Sequence, residues 1–134
     1  MNTQDSSRIT RIKRLILKAF RCANMMSRKD FASYIGISAV YLAQLENGVK
    51  ENLSDKMLKS ILESMNLTEE HFCNIMLYAI TIDTNLQSIN NLTDEEKQRI
   101  LKQEIIYAFL NLLHEENVKN GFIKRCRIPT NDTM

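Results

Sequence analysis

The sequence predicts an all-α protein, and three observations carry that expectation. Apolar residues recur at the three-and-four spacing of helices along most of the chain. Three glycines, one proline and no tryptophan in 134 residues are too few turn formers for a β-rich fold. Serine or threonine also stands just ahead of several apolar-periodic stretches, where a side-chain oxygen can cap the free N–H groups of a helix start.

The elements follow in order. Ile9, Ile12, Leu15, Ile16, Leu17, Ala19, Phe20 and Ala23 give a first helix with a broad apolar face. Arg11, Arg14 and Lys18 fall opposite that face on the wheel, and Arg21 falls at its border beside Leu17. Ser27 with Asp30 has capping-box spacing, which predicts a second helix from about residue 28 to 35. Gly36 stops it, because glycine accepts the left-handed conformation of a tight helix exit. Ser38 then caps a third helix from about residue 39 to 46, ended by Asn47 and Gly48. Ser54 caps a fourth, with Met57, Leu58, Ile61, Leu62 and Met65. Thr68 caps a fifth, with Phe72, Ile75, Met76, Ala79 and Ile80.

Residues 83–92 begin with the polar run DTNLQSINN and read as a linker. Thr93 with Glu96 repeats the capping-box signal and opens the longest helix, which runs to about residue 118. Its apolar residues, Leu101, Ile105, Phe109, Leu112 and Leu113 among them, cover half the circumference or more. That is too wide for a helix lying singly on a finished domain. Either it packs between its own domain and another element, or it buries the surplus against a second copy. The expected organisation is residues 1–82 as one domain, 83–92 as linker, and 93–134 as a packing or oligomerisation helix with a basic tail.

Charge is divided unevenly although the net value is only +2. Arg8, Arg11, Lys13, Arg14, Lys18, Arg21, Arg28 and Lys29 fall in one segment without an acid, whereas acids dominate between Glu69 and Val118. That asymmetry suits either a division of labour or two solvated helix faces. No apolar run approaches the ~18 residues of a membrane span. The opening MNTQDSSR lacks the apolar core of a signal peptide, so the expected address is cytoplasmic. Cys22, Cys73 and Cys126 are odd in number and without metal-ligand spacing, and His71 beside Cys73 has nothing to complete a ligand set. No metal and no cofactor are expected. Neither a nucleophile triad, a glycine-rich phosphate loop nor an HExxH motif is present, and His114-Glu115-Glu116 reads as solvated charge at a helix end. An enzyme is not expected.

Two short capped helices around a glycine-containing turn are the plan of a helix-turn-helix. Ala32 falls where the helices cross and a larger side chain would hold them apart; Phe31, Ile35, Ile37, Leu42 and Leu45 fall where the motif must face its own core. The stretch SRKDFASYIGISAVYLAQLENG, with the capped helix after it, resembles the Cro/CI-type, or XRE-like, helix-turn-helix family. The likeness covers about residues 10 to 80 and implies a five-helix, lambda-repressor-like DNA-binding domain, followed here by the long C-terminal helix. Arg21 and Glu46 match a pair that forms an internal ion pair in such repressors. The structural positions of the motif are then Ser27, Ala32, Gly36, Ser38, Arg21 and Glu46.

The resemblance implies that the third helix enters the major groove of double-stranded DNA. A groove about 12 Å wide accepts one helix with its N-terminal residues at the base edges. Position by position, Ala39, Val40 and Gln44 become base-facing, and Arg28, Tyr41, Asn47 and Lys50 phosphate-facing. Arg28 stands where the family more often has glutamine. Ala39 and Val40 depart further, since many relatives are polar there; they could pack on thymine methyls, with Gln44 hydrogen-bonded to adenine. Relatives usually bind paired half-sites as dimers, which makes Leu101, Ile105, Phe109, Leu112 and Leu113 dimer candidates. The expected function is a dimeric repressor of transcription, with a protein effector as a possible partner. The alternative is a protein-interaction module on the same scaffold, an antitoxin or a phage- or plasmid-encoded inhibitor.

Overall fold

The structure, a computed structural model, describes residues 3–48 and 53–119. Among them are six α-helices and no strand: α1 (Thr3–Ala23), α2 (Arg28–Ile35), α3 (Ala39–Asn47), α4 (Asp55–Glu63), α5 (Glu69–Gln87) and α6 (Asp94–Lys119). Lys50 and the basic tail with Lys124, Arg125, Cys126 and Arg127 lie outside the described residues.

The helices begin where capping chemistry dictates. Ser27, Ser38 and Ser54 accept the backbone N–H groups of Asp30, Tyr41 and Met57 at 3.1, 3.0 and 3.1 Å. Thr68 forms a reciprocal box with His71, whose Nδ1 accepts the Thr68 N–H at 3.0 Å. Thr93 and Glu96 form the other, with bonds of 2.8 and 3.0 Å. Each satisfies donors that a helix start leaves unpaired. α1 starts earlier than its apolar periodicity does, at Thr3.

α1 is the central helix, in contact with α3, α4, α5 and α6. Its Ile12, Ile16, Leu17, Ala19 and Phe20 are wholly buried. The Phe20 ring meets Phe31 of α2 edge-on at 6.0 Å and Phe109 of α6 at 4.9 Å, so three helices share one aromatic contact set.

Two expectations are corrected here. Residues 83–92 are not linker throughout, because residues 83–87 complete α5 and only a short turn separates it from α6. The polar run misleads because its first residue points inward. The Asp83 side chain is wholly buried and takes Arg8 Nε at 2.7 Å and Arg11 Nη2 at 3.2 Å, while Leu86 joins the core. Arg11 also donates to Gln98 of α6 at 2.8 Å, so it is not part of a solvated stripe. Secondly, Leu101, Ile105 and Phe109 are fully buried in the intramolecular core and present nothing to a second copy. Leu112 and Leu113 are half-buried against the same core. The wide apolar face of α6 is consumed by two neighbours at once, α1 and α5.

Candidate nucleic-acid interface

The corner between α2 and α3 is built by local rules. Gly36 adopts φ 87°, and the N–H groups of Gly36 and Ile37 both donate to the Ala32 carbonyl at 2.9 Å. A Cβ on Gly36 would meet nothing within 4 Å, so the backbone angle alone requires glycine. Ala32 is 1% exposed, as a helix crossing demands. Phe31, Leu42 and Leu45 turn into the core, with Ile35 and Ile37 half-buried at its edge.

What α3 does not bury, it presents. Ala39 and Val40 are exposed at its start, Val40 at 69%. Tyr41 and Gln44 are half-buried, and Asn47 is exposed at its end. Arg28 is exposed at the head of α2. These expected contact residues share one two-helix unit, except Lys50, which lies outside the described residues.

Beneath this surface sits Glu46, its side chain wholly buried. Arg21 Nε donates to one carboxylate oxygen at 2.7 Å and Arg21 Nη2 to the other at 3.1 Å. Arg21 Nη1 donates to the Met26 carbonyl at 3.2 Å. Its bond to Glu46 raises the Arg21 guanidinium above its ordinary pKa, outweighing burial. A buried charge is tolerated only when paired in this way. Arg28 adds a third bond, Nε to Glu46 Oε1 at 2.9 Å. The sequence led to Arg21 with Glu46 but not to Arg28 with Glu46. The available signal was a cation standing at the family's usual glutamine, close to that pair.

The sequence placed Arg14 only on the basic face of α1. Gly48 ends α3 with φ 68°, and a Cβ built there would lie 2.7 Å from Arg14 Cζ. The α1 guanidinium therefore rests on the end of the third helix, a contact that no local spacing announces.

A capped pair of helices, set at a glycine corner with the second helix exposing its N-terminal side chains, is the architecture of helix-turn-helix DNA-binding domains. Residues 17–72 match the family model HTH_3, helix-turn-helix. Over that segment, less than half of the chain, the sequence is similar to helix-turn-helix domains. No curated protein and no solved structure matched the chain. No helix among the described residues is long and apolar enough to cross a membrane.

Proposed function

We propose that the protein is a sequence-specific transcriptional regulator, a repressor that binds double-stranded operator DNA as a homodimer on two related half-sites. The reading is supported above all by the exposure of Val40, 69%, beside Ala39 on a helix whose Leu42, Leu45 and Glu46 are locked inward. α3 enters the major groove. Ala39 and Val40 meet thymine methyls, and Gln44 bonds adenine. Arg28, Tyr41, Asn47 and Lys50 hold phosphates on either side. Arg28 binds Glu46 through Nε, and its Nη groups hydrogen-bond no described residue, which leaves them available for a phosphate.

Selection of duplexes from a random library by the full chain, then gel shifts across a salt series, tests this. An A·T-rich consensus with repeated half-sites is expected, bound less tightly as salt rises. Absence of any enriched sequence would remove the reading.

A second reading has its own support. Tyr34 on α2, 58% exposed, and Val40 on α3 add apolar surface to a motif that usually offers polar groups to DNA. On that reading the same face binds a protein, as an antitoxin or an inhibitor. Selection without DNA enrichment, together with loss of partner binding in Val40→Lys, would favour it.

A further inference from the structure

Arg14 and Lys18 stand one turn apart on α1, and Arg14 reaches the end of α3. The Arg14 guanidinium lies on Gly48, with Cζ, Nε and Nη1 at 2.7, 2.8 and 2.9 Å from where a Cβ would be. Arg8, Arg11, Arg21 and Arg28 each hold a carboxylate. Arg14 forms no ion pair or hydrogen bond with any described residue.

Charge around Lys18 is unbalanced in the same direction. Burial lowers its pKa, Glu46 opposes this, and Lys102, Arg28 and Arg14 lower it further. Among the described residues Glu46 is the carboxylate that acts on Lys18, and both its oxygens are already taken by Arg21 and Arg28. Five cations, Arg21 among them, thus crowd one committed acid. Such a surface repels itself and is relieved by a bound anion. Its two ends are Asn47-Gly48 and Arg28, the positions flanking the reading helix.

We propose that Arg14 and Lys18 form, together with Arg28, a phosphate-binding ridge through which α1 holds the DNA backbone alongside α3. This rests on the DNA-binding reading above. The rival explanation is structural: a guanidinium at the C-terminal end of α3 complements the helix dipole without touching DNA.

The two differ in salt dependence. Each lost phosphate contact lowers the slope of log affinity against log salt by about 0.9. The probe is the tightest duplex recovered by the wild-type chain from a random library, fluorescein-labelled and titrated over a salt series. Arg14→Gln should lose about one contact's slope and weaken all duplexes alike, while Arg14→Lys keeps the slope. Lys18→Gln should also lower the slope, yet raise the thermal midpoint by removing a crowded, desolvated cation. Wild-type slopes in both glutamine variants, with a lowered midpoint in Arg14→Gln, would overturn the ridge and leave a helix cap. If the wild-type chain bound no duplex at all, the DNA reading itself would fail and the ridge with it.

Discussion

Arg28 at the head of α2 and Glu46 near the end of α3 are joined by a 2.9 Å ion pair, the carboxylate wholly buried and the guanidinium part-exposed. Because Arg21 holds the other carboxylate oxygen at 2.7 Å, one acid ties α1, α2 and α3 together. An expected DNA contact is therefore also part of the scaffold under the reading helix.

Glu46→Ala should destabilise the domain by about 3–5 kcal/mol, because two arginines lose their buried counter-charge. Urea unfolding followed by circular dichroism measures this. A loss below about 1 kcal/mol, the range of surface pairs, would mean that the cluster is solvated rather than buried.

Arg28 and Gln44 should separate in a binding assay. Arg28→Ala is expected to weaken every duplex by a similar factor, since phosphates carry no sequence. Gln44→Ala should relax preference at one base position by about 1–3 kcal/mol. An unchanged base preference in the Gln44 variant would refute its assignment.

Stability should fall on the acid side through Asp83. Burial opposes its ionisation, but hydrogen bonds from Arg11 and Arg8 outweigh burial and hold its pKa below the ordinary carboxylate value. The unfolded chain, with Asp near 3.9, binds a proton first as pH falls. The stabilisation is thus complete above about pH 4–5 and is lost as pH drops through the lower folded value. Thermal midpoints from about pH 6 to 3 should fall more steeply for the wild type than for Asp83→Asn. Parallel curves would assign the acid limb to other groups.

Phe109→Ala should cost about 3–5 kcal/mol as a core truncation and leave the oligomeric state of the folded protein unchanged. A variant that kept its fold and merely dissociated would restore Phe109 to an intersubunit surface. Sedimentation and thermal melts at two concentrations distinguish these outcomes.

The sequence by itself determined what local chemistry controls. Ser27, Ser38, Ser54, Thr68 and Thr93 marked five helix starts, and Gly36 and Gly48 two helix ends, because a cap involves only residues three or four apart. The pattern around Ala32 was legible for the same reason, and it marked the helix-turn-helix segment that the family model matches. Where α5 ends and what α6 covers were decided by tertiary structure alone. Arg8 and Asp83 are 75 residues apart, and a polar run reads as a loop until its partners are placed beside it. The row Leu101, Ile105 and Phe109 announced only that something must cover it. Hydrophobic burial has no direction and no named partner, so periodicity could not choose between a second copy and the α1–α5 surface. Packing chose the latter for these three, and moved Leu101, Ile105 and Phe109 from the dimer candidates into the core.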